Sequence, residues 1–255
     1  MRVADGGAGA ARRCNCDASR RVSHLLRNAG IPSKYGDCTL DSFRTDVYGR
    51  KFLGLKNAKA LCRQFIDRFV DKDGRTSERG LLFVGPPGVG KTHLAVAVLK
   101  ELIPPLSARG QFIDFTSFVA RLQSTFDPSS EESKHQVLDP VLNADILVLD
   151  ELGAAKPSPF VQDVLYLIIN TRYANRRTTL FTTNFRLRVD SASESKSRIS
   201  QAEDEPLPFD LSARRVSRVD LLSERLSPML ISRIREMTHS IEIEADDFRA
   251  LREAK

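Results

Sequence analysis

The chain has no tryptophan, and aromatic residues make up only 7 % of it. That leaves little from which to build a surface of stacked rings, so a base-stacking platform for nucleic acid is not indicated. Long apolar runs are also missing. No stretch approaches the ~20 residues that a helix needs to cross a bilayer. Residues 1–11 are rich in glycine and alanine and lack an apolar signal core. The expectation is a cytoplasmic protein with no membrane partner. Cysteine is scarce: Cys14, Cys16, Cys38 and Cys62 are the four present. In a cytoplasmic chain they do not amount to a disulfide framework. Cys62 falls on an apolar helix face and reads as core.

What is present is enough for one α/β domain with a full hydrophobic core and a small additional piece. The chain has 255 residues, 41 % hydrophobic and 28 % charged. The net charge of +6 favours polyanionic partners, weakly, since a solvated surface with surplus lysine and arginine looks the same. There is no internal repeat.

Val22, Leu25, Leu26 and Ala29 have helical spacing, closed by Gly30 and Pro32. Residues 33–56 read as a linker with Tyr35, Leu40 and Phe43 as anchors. A clear amphipathic helix follows through Ala58, Leu61, Cys62, Phe65, Ile66 and Phe69. From Leu81 strands and helices alternate. Strands are expected at 81–84, 111–115, 146–149 and 178–182, and a last one at 241–243. Helices are expected at 91–103 (stopped by Pro104 and Pro105), 117–125 and 160–173, with a polar loop from Pro128. This alternation predicts a parallel five-stranded sheet with helices on both faces, a three-layer α/β/α fold. Residues 186–218 are rich in Ser, Arg, Asp and Glu without apolar period and read as a mobile insertion. The expected division is 1–56, a basic N-terminal region and linker, and 57–255, the main domain.

Gly85-Pro86-Pro87-Gly88-Val89-Gly90-Lys91-Thr92 directly follows a strand and opens a helix. Glycines at this spacing let the backbone curl so that its N–H groups converge on phosphate oxygens, and the helix N-terminus adds positive potential. Lys91 is placed for the β- and γ-phosphates, and the Thr92 hydroxyl for Mg²⁺. The apolar strand Ile146-Leu147-Val148-Leu149 then ends in Asp150 and Glu151. Asp150 is expected to hold the Mg²⁺ shell and Glu151 to act as general base on the attacking water. Thr182-Thr183-Asn184 ends the next strand, which puts Asn184 at the carboxyl edge of the sheet, where ligands bind in such folds.

These residues resemble the DnaC/IstB family of AAA+ ATPases. The likeness rests on Gly90-Lys91-Thr92-His93-Leu94-Ala95, Leu149-Asp150-Glu151-Leu152-Gly153, Ile168-Ile169-Asn170-Thr171-Arg172-Tyr173, Thr182-Thr183-Asn184, Ser232-Arg233-Ile234 and Asp247-Phe248-Arg249. It extends to a lead-in from Ala29-Gly30-Ile31-Pro32 to Leu40 and Phe43, so that it covers roughly 14–251 apart from the 186–218 insertion. The resemblance implies an ATPase that assembles side by side on DNA, preferably single-stranded, with ATP at each subunit junction. It adds His93 to the nucleotide-binding set. By motif position Arg233 is the arginine finger given to a neighbour, Arg225 is a second candidate, and Arg249 is a sensor arginine acting in cis. Arg172 is expected near the subunit junction. Arg121 and Gln123 fall where related initiators carry a DNA-facing helix, and Phe118 and Leu122 equally suit a helix that covers the sheet. Members of the family load the replicative helicase onto DNA or help a transposase. Either partner, or a non-catalytic ATP-dependent scaffold, is compatible with the resemblance, although an intact Glu151 argues against the scaffold.

Cys14 and Cys16 alone are too few for zinc, which takes four ligands in most structural sites. Some relatives carry a Cys-x-x-Cys pair upstream of a similar Cys-x-Cys. One expectation is therefore that the native start lies upstream of Met1 and that these two are half of a zinc site. Arg12, Arg13, Arg20, Arg21 and Arg27 make the N-terminal region basic. It reads either as a docking arm or as a solvated tail.

Overall fold

In the computed structural model, residues 15–47, 50–69, 79–155, 157–187 and 221–245 are described. The first element is α1 (Asn15–Asn28), followed by a 3₁₀ turn at Ser33–Tyr35 and the two-residue hairpin strands β1 (Asp46–Val47) and β2 (Arg50–Lys51). Then come α2 (Leu53–Phe69), β3 (Gly80–Val84), α3 (Lys91–Leu106), β4 (Gly110–Asp114), α4 (Phe115–Ser124), α5 (Lys134–Asn143), β5 (Ile146–Asp150), α6 (Pro159–Ala174) and β6 (Thr178–Thr183). A 3₁₀ turn at Leu222–Glu224, α7 (Pro228–Met237) and β7 (Thr238–Glu242) complete the described chain.

The five long strands form one parallel sheet in the order β4-β5-β6-β3-β7. Strand period decides which residues face which layer. Leu81 and Phe83 of β3, with Ile146 and Val148 of β5, join a core with α1, α2 and α3. Leu82 and Val84, with Leu147 and Leu149, join a second core with α4, α5, α6 and α7. Strands buried on both faces must be apolar throughout, which is why β3 and β5 show no alternation of polar residues. The three-layer α/β/α class expected from sequence is the one observed. Leu94 to Leu99 of α3 are all inaccessible to solvent. Each large one of them contributes about 1.5–3 kcal/mol of burial.

The lead-in packs on the same core. Ala29 and Leu40 are fully buried, Phe43 nearly so, and the amide of Phe112 in β4 donates to the Ala29 carbonyl at 2.7 Å.

Three expectations need correction. Helix α3 does not stop at Ile103 but runs through Pro104 and Pro105 to Leu106. Proline already has a helical φ. The turn closes at Ser107, whose left-handed backbone (φ 49°) sends its N–H back to the Ile103 and Pro104 carbonyls. The polar loop after Pro128 contains helix α5, started by a reciprocal cap in which the Ser133 side chain accepts from Gln136 N–H and the Gln136 side chain accepts from Ser133 N–H. The last strand begins at Thr238 rather than Ile241, because β7 pairs in register with Gly80–Val84 along its whole length. The 186–218 insertion lies outside the described residues beyond Leu187.

Candidate active site

Strand β3 lies inside the sheet between β6 and β7, and its carboxyl end runs straight into the glycine loop. Gly88 and Gly90 have φ of 79° and 92°, a region that side-chain-bearing residues seldom enter. A Cβ on Gly90 would also stand 2.6 Å from Phe43 Cε2, so the lead-in segment supports the loop from behind. Gly85 lies as close to the backbone of Ile243, where a Cβ would be 2.5 Å from the carbonyl oxygen. Val89 is fully buried and pins the loop to the core, whereas Pro86 and Pro87 are exposed. Lys91 is 7 % exposed, and its ammonium donates to the Gly85 and Pro86 carbonyls at 2.9 and 2.7 Å. The cation is thus held on the inner wall of the loop at the N-terminus of α3.

Beside it, Asp150 at the end of β5 is 4 % exposed. The Thr92 hydroxyl donates to its Oδ1 at 2.9 Å and the Thr182 hydroxyl to the same oxygen at 2.6 Å. Burial raises the proton affinity of this carboxyl, the two hydroxyl donors work against that, and the nearby charges of Glu151 and Asp114 raise it further. A buried carboxylate with a threonine hydroxyl at hydrogen-bond distance is the oxygen-rich, anionic donor pair that a hard divalent cation such as Mg²⁺ takes.

Glu151, one residue on, is solvent-exposed and has a left-handed backbone (φ 61°). That conformation costs a non-glycine residue of order 1 kcal/mol. It is fixed by the Glu151 N–H donating to Thr182 Oγ1 at 3.0 Å and the Leu152 N–H donating to the Thr182 carbonyl at 2.8 Å. Two adjacent acids therefore have opposite settings: Asp150 buried and bonded, Glu151 in solvent. Asn184 follows β6 and is exposed at the same edge, next to Thr183, whose hydroxyl donates to the Leu152 carbonyl at 2.7 Å.

Thr182 was not among the residues singled out from sequence, although it lies in the Thr-Thr-Asn run that was. Its signal is a hydroxyl on a strand otherwise destined for the core. The ring of His93, placed in the nucleotide-binding set by resemblance, is engaged by the lead-in. Its Nε2 is 2.9 Å from the Thr39 carbonyl and its ring meets Phe43 edge-on at 5.3 Å. Burial lowers its proton affinity.

The arginines divide sharply. Arg172 is fully buried: Nε donates to Thr179 Oγ1, Nη1 to the Val141 and Ala144 carbonyls, and Nη2 to the Thr178 carbonyl, at 2.6–3.0 Å. Four of its five N–H donors are taken up inside the fold, so the side chain itself is closed off from an adjoining copy. Arg121 pairs with Glu132 at 2.8 Å through Nε, on a helix whose Phe118 and Leu122 are buried against the second core. Arg225 stacks on the Phe185 ring at 4.7 Å and reaches toward the Gly153 carbonyl at 3.5 Å, so it belongs to the turn after its own Glu151. Arg233 is half-buried on α7, over the rings of Tyr166 and Tyr173. Cys14 and Arg249 lie outside the described residues, as does the side chain of Cys16. Among the described residues no group of three or more His, Cys, Asp and Glu is placed to hold a metal ion, and no helix is long and apolar enough to cross a membrane.

The sequence model of the IstB-like ATP binding protein family matches residues 15–193. The replicative helicase loader DnaC of Escherichia coli (strain K12) is 29 % identical over 167 residues, 64 % of this chain and 62 % of the relative. DnaC of Buchnera aphidicola subsp. Acyrthosiphon pisum is 24 % identical over 160 residues, 62 % of this chain and 60 % of the relative. The match thus spans less than two thirds of these curated relatives. The crystal structure of the DnaC helicase loader superposes with a TM-score of 0.61 at 30 % identity, over 84 % of this chain and 100 % of that one. The replication initiator DnaA bound to AMPPCP and single-stranded DNA gives a TM-score of 0.55 at 17 % identity, over 88 % of this chain and 55 % of that one. At that identity the likeness is one of fold.

Proposed function

The chain belongs to the IstB-like ATP binding protein family, and from that premise we propose that it hydrolyses ATP as an assembling AAA+ ATPase that delivers the replicative helicase to DNA. The observation that carries the proposal is the knot of Thr92, Asp150 and Thr182 beside a glycine loop, with Glu151 exposed next to it. The nucleotide is the substrate. The loop N–H groups and Lys91 receive its phosphates, from Gly85 through Thr92. Thr92 and Asp150 would hold Mg²⁺, which when bound would supply charge neutralisation on the phosphates. Glu151 accepts the proton of the attacking water, which Asn184 orients. Arg233 of an adjoining copy stabilises charge on the transferring phosphoryl group.

The role as a loader is supported by likeness to a protein named a replicative helicase loader. The second reading, a transposition helper that regulates a transposase, draws on the likeness to IstB in the family match. Both bind ATP and DNA, and a binding assay with purified replicative helicase separates them.

The first experiment is ATP hydrolysis with Mg²⁺, with and without single-stranded DNA, on wild type, Glu151→Gln and Arg233→Ala. Each variant is expected to lose at least a hundredfold in kcat, and a mixture of the two to regain part of it. A mixture that stays inactive while ATP still binds would refute the finger assignment.

A further inference from the structure

Four of the arginines on the surface of this protein are neutralised by carboxylates. Arg63 pairs with Asp41 and Glu101, Arg109 with Asp145, Arg121 with Glu132 and Arg186 with Glu244. Arg233 has no such partner among the described residues. Its guanidinium carbon lies 5.5 Å from the centroid of Tyr166 and 5.8 Å from that of Tyr173. These two tyrosines stand seven residues apart on α6, two helical turns along one face, and both rings are more than one third exposed. Nη1 is buried without a hydrogen-bond partner, so the group is seated by ring contact rather than by an acceptor. The Tyr173 hydroxyl in turn donates to Glu236 Oε1 at 2.8 Å, one turn along α7 from Arg233.

An aromatic face and a carboxylate hold an arginine in different ways. A carboxylate cancels its charge and occupies its donors. A ring fixes the guanidinium through its quadrupole and leaves the charge available to an outside anion. An arginine that must meet developing phosphate charge gains from the second arrangement, since preorganised charge stabilises a transition state without rearrangement during the reaction.

We propose that Tyr166 and Tyr173 form an aromatic clamp that positions Arg233 for the nucleotide of an adjoining copy. This rests on the assignment of Arg233 as a finger acting in trans. The tyrosines touch neither substrate nor reacting atoms and are positioning residues, so loss of the rings lowers kcat and leaves the KM for ATP unchanged.

The test is steady-state ATP hydrolysis with Mg²⁺ and single-stranded DNA on the full chain, comparing Tyr166→Leu/Tyr173→Leu with Tyr166→Phe/Tyr173→Phe and Arg233→Ala. The double leucine variant is expected to lose about tenfold in kcat at constant KM, and the double phenylalanine variant to keep most of its turnover. Adding Glu151→Gln chains, whose fingers still rest on tyrosines, is expected to raise the turnover of the leucine variant, which a misfolded variant would not show. A wild-type kcat in the leucine variant beside a dead Arg233→Ala overturns the clamp and leaves the finger standing. Equal losses in the leucine and phenylalanine variants overturn it too, because the hydroxyl on Glu236 would then be the operative group. Wild-type turnover in Arg233→Ala overturns both the finger and the clamp.

Discussion

Asp150 carries a cost that its neighbours only partly offset. Its carboxyl is buried, and that burial raises its proton affinity above the ordinary carboxylate range. Above the folded-state pKa the charged form therefore opposes folding, and the opposition fades as the pH falls through that value toward the unfolded one near 4. Asp150→Asn is expected to stabilise the nucleotide-free protein at neutral pH by about 1 kcal/mol, a rise in Tm of roughly 2–4 °C. The gain should shrink on acidification, as differential scanning calorimetry at several pH values would show. The same substitution should abolish Mg²⁺-dependent ATP turnover. A fall in Tm at neutral pH would mean that the Thr92 and Thr182 hydroxyls outweigh desolvation. The carboxyl was legible in sequence because an apolar strand that ends in two acids is an unusual pattern. Its dependence on Thr182 was not, since that contact joins β5 to β6 across 32 residues.

At the scale of elements, Arg172 does for α5 what a capping residue does for an ordinary helix. The carbonyls of Val141 and Ala144 at the end of α5 lack intrahelical partners, and a guanidinium from α6 supplies them. The same group takes the Thr178 carbonyl at the start of β6, so one side chain ties two helices and a strand together. Burial pulls its pKa down to about 9, which leaves it charged at neutral pH. Arg172→Met would strand three carbonyls and a hydroxyl in a dry interior. A loss of about 3 kcal/mol in urea unfolding is expected, with ATP affinity little changed because the loop lies at the other end of the sheet's strands. A loss below about 1 kcal/mol would show that water takes over these acceptors. The sequence reading sets this arginine near a junction between copies. Only packing reveals that its side chain is fully buried and bonded within one chain. Helix α5 itself was hidden by its polar exposed face, although Ser133 and Gln136 spell its cap.

For the whole molecule, the proposed function turns on association. The proposed finger, Arg233, needs a second copy's nucleotide to act on. Sedimentation velocity of Glu151→Gln with ATP and Mg²⁺ is expected to show species larger than the 28.5 kDa chain, and Lys91→Ala under the same conditions to remain a monomer. A monomeric Glu151→Gln protein, saturated with ATP, would count against an ATP-bridged assembly. The sequence by itself determined the layers, the phosphate loop and the acid pair. Hydrophobic period and contiguous motifs act through the local backbone: which residues face a core, where glycine must stand, where a strand gives way to a helix. Tertiary structure alone decided which arginine is buried, which one rests on tyrosines and which one serves its own acid turn. It also decided that Phe43 supports Gly90 and that Thr182 holds Asp150. These are contacts between residues far apart in the chain, fixed by strand register and helix packing, and no local pattern encodes them.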